Sequence, residues 1–479
     1  MPRPEGLELA DARARLERAG QQHVLRFWDE LTAAQQERLL AQLAAMDLEQ
    51  VRDLHQAWHE GGEEDWAEVS RRAEPPRAIR PGRRKSDAGG QSVEINPQDA
   101  RTRGAEALAR GEVGVLLVAG GQGSRLGFEK PKGLYPIGPV SGASLLQIHC
   151  EKVLAAARRY GVRVPLYLMT SPATHEETVA FLEENDRFGI APDELFVFCQ
   201  GTMPAVDANT GRLLLEDKDR LFMSPDGHGG TVAALANSGA MDDARGRGFK
   251  QLFYLQVDNP LAPICDPELI GYHLLAKSEL SSVAVAKEAP QDRVGNFVSV
   301  DGRLRVIEYI DFPDDVAGQR AADGSLKFWA GNTAIHVFDV AFLTRVLGLS
   351  DALPFHIQHK KVPHLSVDGR HVEPEEPNAL KFERFIFDLL PQAEGAIVIE
   401  ADEEKIFAPL KNAPGAKRDT PEFVHERMTR LHRQWLEAAG AKVAPGVAVE
   451  ISPLYALDEE RVRQRVQEPL EIDSPTYLR

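Results

Sequence analysis

A glycine-rich turn with two cations close behind it is the part of this chain best suited to chemistry. The segment Val118-Ala119-Gly120-Gly121-Gln122-Gly123-Ser124-Arg125-Leu126-Gly127 follows directly on an apolar run. Glycines let the main chain come close to a ligand and adopt positive φ, and N–H groups exposed in this way can cradle phosphate oxygens. The spacing is G-x-G-x-x-x-G, longer than the dinucleotide fingerprint, and no GK[ST] closes the loop as it does in a P-loop. Arg125 sits in the turn, and Lys132 follows in Lys130-Pro131-Lys132-Gly133. Two cations beside such amides would neutralise a polyphosphate; a tight turn bordered by surface cations is the plainer alternative. Farther along, Asp258 in Val257-Asp258-Asn259 ends a predicted strand. A carboxylate there suits Mg2+, which takes one or two carboxylates plus substrate phosphates; a helix N-cap or loop aspartate reads the same way. No Ser/His/Asp or Cys/His motif demands a protein nucleophile.

These residues need a frame, and the apolar pattern supplies one. Val115 to Ala119 is a short continuous apolar run ending in glycines, as expected of a central parallel strand. Leu166 to Met169 repeats it, with a helix expected from Thr174 to Glu184. Leu195 to Phe198, Leu252 to Val257 and Ser282 to Ala286 give further strands. The alternation predicts an α/β sheet with right-handed crossovers, and ligands of such sheets bind outside the carboxyl ends of the strands. Before this region, residues 1–72 read as helices. Val24, Leu25, Phe27, Trp28 and Leu31 share one helical face, Thr32 with Gln35 forms a capping box, and Leu48, Val51, Leu54 and Trp58 suggest a third helix. These stripes must dock on something larger. Residues 73–100 read as a Pro-, Gly- and charge-rich linker in which Arg80, Arg83, Arg84 and Lys85 form a solvated cluster, with a targeting or anion-binding cluster as the alternative. Past residue 395, Ile397 to Ile399 and Val443 to Ile451 look β-like around a helix at Glu422 to Ala438, with no more than a hint of a hexapeptide β-helix. The domains expected are 1–100, a helical region with its linker; 101–392, catalytic; and 393–479, a small C-terminal α+β domain.

Composition limits the partners. The 479 residues carry 56 Lys plus Arg against 73 Asp plus Glu, a net charge of −17. Such a surface repels nucleic acid and anionic lipid at long range. An anionic small substrate therefore needs a local concentration of cations. No apolar run is long enough to span a membrane. Cys150, Cys199 and Cys265 lie far apart without zinc spacing and read as buried thiols in a reducing compartment. The N-terminal stretch has no signal-peptide apolar core and is too acidic for a transit peptide, so the cytoplasm is expected.

Taken together, the motifs resemble the UDP-N-acetylhexosamine pyrophosphorylases, within the broader UTP–sugar-1-phosphate uridylyltransferases. The likeness rests on the Ala119 to Gly127 turn with Pro131-Lys132-Gly133, Gln200-Gly201-Thr202-Met203-Pro204-Ala205, Pro225-Asp226-Gly227-His228-Gly229-Gly230, Val257-Asp258-Asn259, Glu308-Tyr309, Ala330-Gly331-Asn332 and Pro409-Leu410-Lys411-Asn412, in the family's order. The Phe27 to Leu43 segment also looks like the family's N-terminal region. The resemblance implies a Rossmann-like nucleotidyltransferase fold of GT-A type, with a mixed, mostly parallel sheet flanked by helices. It implies that Val118, Ala119, Gly120 and Gly121 bind the nucleotide, with Arg125 as activating arginine and Lys132 on phosphate. Gln200 matches the residue that reads uracil, an amide able to donate and accept along one edge of the base. Gly227 matches a glycine against the base. Asp258 is the implied metal ligand, Lys381 and Lys411 reach phosphate, and Gly295, Glu308, Tyr309 and Asn332 face the sugar. Phe385 reads as core or as an apolar wall.

One position departs from the pattern: His228 stands where the family often has Asn, facing the sugar. It is bulkier and can change charge near neutrality, which opens the choice among N-acetylglucosamine, N-acetylgalactosamine, glucose or several hexoses. The implied reaction is UTP + sugar 1-phosphate ⇌ UDP-sugar + pyrophosphate, assisted by Mg2+, with Arg125, Lys132 and Lys411 as the catalytic cations. A nucleotide-sugar-binding protein without turnover is the reading from another class; the joint presence of Arg125, Lys132, Asp258 and Lys411 speaks against it. A dehydrogenase would need the shorter glycine spacing and an acidic residue about 20 positions on, which is not evident.

Overall fold

The structure is a computed structural model that describes residues 7–61, 64–82, 92–349, 353–467 and 470–479. Two compact units emerge, neither continuous in sequence: residues 66–200, 232–352 and 387–479 form the larger, and 1–65, 201–231 and 353–386 the smaller. The expected blocks, cut at 100 and 392, follow chain order; the packing instead groups the N-terminal helices with two later insertions.

The larger unit is built on a ten-stranded sheet. Its strands are β1 (Ala78–Ile79), β2 (Val113–Val118), β3 (Leu166–Thr170), β4 (Leu195–Cys199), β5 (Gln251–Gln256), β6 (Leu280–Ala286), β7 (Asn296–Val300), β8 (Arg303–Ile307), β9 (Ala330–Asp339) and β10 (Ile397–Ala401). The main order is β1-β10-β6-β9-β5-β2-β3-β4, with the β7–β8 hairpin attached to β9. Strands β5, β2, β3 and β4 pair in parallel, as do β6, β10 and β1, while β9 runs antiparallel to both of its main neighbours. All residues of β2 and β3 are buried, which is why they appear in sequence as unbroken apolar runs rather than alternating ones. Val115, Leu117, Leu166, Leu168, Phe253 and Leu255 join one core with Leu145, Ile148 and Val153 of the helix Leu145–Tyr160.

The expected strands and the helices at His175–Glu184 and Pro421–Ala438 are present. The supposed linker is different. Its Ala78 and Ile79 form β1, paired in parallel with Val398 and Ile399, and Asn96 caps a helix over Pro97–Ala109. Arg80 is not solvated: it is buried, donates to Glu400 at 2.7 Å and lies 3.9 Å from the centre of the Trp329 ring. A guanidinium can be buried this way because a carboxylate and an aromatic face replace its water. Arg83, Arg84 and Lys85 lie outside the described residues. In the tail, Lys442–Val443 pairs in parallel with Glu471–Ile472, and Val449–Ile451 with Thr476–Leu478. Of the cysteines, Cys150 and Cys265 are buried but Cys199 is exposed, because it ends β4, at one side of the sheet.

In the smaller unit the helices Ala33–Ala44 and Leu48–His59 are set by the Thr32/Gln35 capping box and by Asp47, which accepts from the N–H groups of Glu49 and Gln50. Their Leu39, Leu43 and Val51 pack against Met203, Val206, Leu380 and Phe382, so the larger body that these stripes need comes from the two insertions. Residues 24–31 bury Val24, Phe27, Trp28 and Leu31 as expected, but on two 3-10 turns, Gln22–Leu25 and Trp28–Glu30, with Phe27 and Leu31 flanking the second, rather than on one helix.

Candidate active site

Four neighbouring parallel strands end at the same edge of the larger sheet, and each is followed by a residue singled out above or by its support. After β2 comes the glycine turn, after β3 Ser171, after β4 Gln200 and, past β5, Asp258. Because β9 runs the other way, its first residues, Ala330, Gly331 and Asn332, also begin at this edge. Topology thus brings distant motifs to one rim, the position where open α/β sheets take ligands.

The turn is built closely. Val257 N–H donates to Val118 O at 2.9 Å and Ala119 N–H to Met169 O at 2.7 Å, carrying the pairing one residue past Gln256 and one past Val118. A β-carbon on Gly120 would stand 2.5 Å from Gln200 Oε1 and 3.3 Å from the Ser171 β-carbon. Ser171 Oγ donates to Gly120 O at 2.7 Å, and Gln200 N–H donates to Thr170 O at 2.9 Å. Gly120 is therefore the space in which the Gln200 amide is seated. Lys132 N–H donates to Gly121 O at 3.0 Å, folding the second cation back over the turn. Lys132 Nζ lies 3.8 Å from Asp258 Oδ2. Arg125 projects from the 3-10 turn Ser124–Leu126, is exposed, and makes no ion pair among the described residues.

Lys411 reaches the same rim through the main chain: Leu410 N–H donates to Asp258 O at 2.8 Å. Sequence reading missed Asp419, whose carbonyl accepts from the N–H groups of Lys411 and Asn412, both at 2.9 Å. Asp419 adopts φ +61°, which is uncommon for a side chain other than Gly. Burial raises its carboxyl above the ordinary range, Lys411 and Arg418 act against that, and Asp258 adds to it. Nothing in the sequence around Asp419 signals that backbone. Lys411 also lines a cavity of 430 Å³ that holds Lys287, Arg293, Lys417 and Arg418 against Asp292, Glu403 and Asp419. This excess of cations is the local reversal that the acidic chain requires for an anionic substrate.

Gly295, Glu308 and Asn332 are gathered on the β7–β8 hairpin and β9. Asn332 N–H donates to Gly295 O at 2.8 Å, and a β-carbon on Gly295 would stand 3.0 Å from Glu308 Oε1. Tyr309 is exposed beside Glu308. Lys287, also missed, is buried next to this group; its ammonium donates to Asn296 Oδ1, and burial pushes its pKa down to about 8.

The smaller unit carries Gly227, His228, Lys381 and Phe385. Gly227 sits at φ +80°, and a β-carbon there would come within 2.4 Å of Arg384 O, so backbone packing by itself demands glycine. His228 is half-buried, its Nδ1 accepts from Ile386 N–H at 3.2 Å, and its ring stacks on Phe385 at 5.4 Å. Phe385 also meets the His356 ring at 4.4 Å, so it acts as a wall between two imidazoles. Contrary to the expectation of a charge change near neutrality, burial first and His356 second push the His228 pKa down to about 4. Lys381 is half-buried, 4.9 Å from the Phe222 ring, and burial lowers its pKa.

The residues fit magnesium in one particular way. Among the described residues no three His, Cys, Asp or Glu side chains gather as a metal cage. Asp258 presents a single carboxylate beside Lys132, which suits an ion held mainly by substrate phosphates.

Comparison with known proteins agrees with this geometry. Residues 84–423 match the family model described as UTP--glucose-1-phosphate uridylyltransferase. The UDP-N-acetylglucosamine pyrophosphorylase of Saccharomyces cerevisiae is 39% identical over 368 residues, 75% of this chain and 77% of its own length. UDP-N-acetylhexosamine pyrophosphorylase-like protein 1 of Xenopus tropicalis is 36% identical over 448 residues, 92% of this chain and 87% of its own. The crystal structure of the uridine diphosphate N-acetylglucosamine pyrophosphorylase from Trypanosoma brucei, solved with an inhibitor, matches at a TM-score of 0.80 over 99% of both chains, at 27% identity. The chain belongs to the UTP–glucose-1-phosphate uridylyltransferase family, and within it to the group of the UDP-N-acetylhexosamine pyrophosphorylases.

Proposed function

We propose that this protein is a uridylyltransferase that makes UDP-N-acetylglucosamine, or UDP-N-acetylgalactosamine, and pyrophosphate from UTP and the sugar 1-phosphate. The observation that carries this reading is the shared rim: the glycine turn, Gln200, Asp258 with Lys132, and the segment leading to Lys411 stand at the ends of adjoining strands. In this scheme a sugar-phosphate oxygen attacks the α-phosphorus in line, the bond to the bridging oxygen breaks, and pyrophosphate leaves opposite. No group on the protein needs to become covalently attached. The turn amides and Gln200 hold the nucleotide. Arg125 and Lys132 face the charge that builds on the leaving pyrophosphate, and Lys411 meets the sugar phosphate or α-phosphate. Asp258 would hold Mg2+, which when bound neutralises and aligns the phosphates. Gly295, Glu308, Tyr309 and Asn332 take the sugar; by the family resemblance Gly227 lies against the base, His228 faces the sugar and Lys381 reaches phosphate. The buried thiols Cys150 and Cys265 suit a reducing cytoplasm, and no helix among the described residues is long and apolar enough to cross a membrane.

The test is pyrophosphate release with UTP, Mg2+ and a panel of sugar 1-phosphates. Turnover confined to N-acetylhexosamine 1-phosphates supports the proposal. Equal turnover with glucose 1-phosphate selects the second reading, a broad UDP-sugar pyrophosphorylase, which His228 favours because it differs from the family's common Asn. Binding of UDP-sugar without any turnover would leave only a binding protein. Because its pKa lies near 4, His228 is neutral across the assay range, and Ile386 N–H occupies Nδ1, so the ring proton sits on Nε2. Sugar preference is therefore expected to stay flat between about pH 6 and 9; a preference that swings with a midpoint near 6.5 would contradict this assignment.

Gly120→Ala tests the seat of the base-reading amide. The added carbon would displace Gln200 Oε1, now 2.5 Å from that position. The expected result is a KM for UTP raised about tenfold with kcat within about threefold, the size of one displaced neutral hydrogen bond. An unchanged KM would show that Gln200 does not hold the nucleotide.

A further inference from the structure

We propose that Asn259 is a positioning residue, whose buried amide locks the segment bearing Lys411 onto the turn bearing Asp258; this rests on the uridylyltransferase reading. Asn259 is 3% exposed. Its Nδ2 donates to Ile406 O at 2.8 Å, and its Oδ1 accepts from Ala408 N–H at 3.1 Å and from Leu261 N–H at 3.2 Å. One side chain thus bridges its own turn to two points on the main chain just before Lys411. Leu410 N–H on Asp258 O adds a third tie, and the Asp419 carbonyl holds Lys411 N–H from the other side. Residues 406 to 412 are fixed at nearly every second position, by Asn259 and Asp258 on one side and by Asp419 on the other, with Lys411 between them.

The chemistry explains the need. Lys411 is exposed and carries a flexible stem, while transfer between two bound substrates demands reacting groups placed to about 1 Å. Only the main chain can supply that placement. Asn is suited to the task because it donates once and accepts twice through one short planar group. Asp would keep both accepting contacts and lose the donor; Ala would lose all three. In the Val257-Asp258-Asn259 motif the carboxylate signals its chemistry by residue type, whereas the amide acquires a role only through partners 147 and 149 residues away.

A merely structural Asn259 would lower stability and protein yield without altering what Lys411 contributes. The experiment therefore combines Asn259→Ala with Lys411→Ala and, as a control at the other end of the site, with Arg125→Ala. Asn259→Ala is expected to lower kcat about 30-fold or more, with KM for UTP within about threefold. Lys411→Ala alone is expected to cost about 10² in kcat, but less than about fivefold once Asn259 is Ala, whereas Arg125→Ala costs the same in both backgrounds. Near-wild-type kcat in Asn259→Ala, or costs that simply multiply, overturns the proposal. If Asn259→Ala does not fold, judged by thermal unfolding, the isosteric Asn259→Asp carries the same comparison. If the wild-type chain turns over no sugar phosphate, it is the functional reading that fails. The same pair is then compared by calorimetry on UTP affinity, where non-additive losses support Asn259 and additive ones reject it.

Discussion

Arg125→Ala is expected to lower kcat by about 10²–10³ at saturating substrates, the usual cost of removing one preorganised electrostatic contact from a transition state. The site explains why this arginine outweighs its neighbour. Lys132 already faces Asp258 at 3.8 Å, so part of its charge is spent within the protein. Arg125 makes no ion pair among the described residues and is held in a short turn between Gly123 and Gly127. Its charge is available to a substrate. Charge on the leaving pyrophosphate grows as the bond to the α-phosphorus breaks, so the loss falls more on kcat than on the KM for UTP. Arg125→Lys keeps the charge without the planar fork and is expected to recover about tenfold of the loss. Because the side chain is exposed, thermal unfolding of both variants matches the wild type to within about 0.5 kcal/mol. Near-wild-type kcat for Arg125→Ala would remove Arg125 from the mechanism.

What could be read in the sequence divides along a physical line. Strands β2, β3 and β5 were legible because strands buried on both faces leave unbroken apolar runs, and the glycine turn was legible because it ends the first of them. Features that depend on partners distant in sequence were not. Nothing near Ala78 announces that it pairs with Val398, or near Arg80 that Glu400 and Trp329 wait for it. The insertions 201–231 and 353–386 join the N-terminal helices through burial of Met203, Val206, Leu380 and Phe382, a match that no local period encodes. The same limit applies at the site. Asp258, Gln200 and Lys411 belong to recognisable motifs, but Asp419 matters through a main-chain carbonyl and a positive φ, neither of which a residue type reveals. For His228 the residue was visible and its environment was not: burial against Phe385 and His356 removes the titration that the free imidazole would show.

Asp258→Asn separates metal anchoring from architecture. The change is isosteric, and the tie that Asp258 makes to Leu410 runs through its carbonyl, so the fold and the placement of Lys411 should survive it. What disappears is the carboxylate charge opposite Lys132. If that carboxylate holds Mg2+ on the phosphates, kcat is expected to fall by about 10³, near 4 kcal/mol of transition-state stabilisation, and excess Mg2+ should not restore it. The affinity for UTP without metal should move the other way or stay level. Removing a negative charge from beside a polyphosphate relieves repulsion, and Lys132, 3.8 Å away, is left without its carboxylate partner. Opposite signs for metal-dependent turnover and metal-free binding are not what a damaged fold would give, since unfolding weakens both. Calorimetry of UTP with and without Mg2+, set beside kcat, reads the two effects separately. Loss of metal-free binding in step with kcat would make Asp258 a structural residue and return the search for the ion's ligand to the other carboxylates of the rim, with Asp419 first among them.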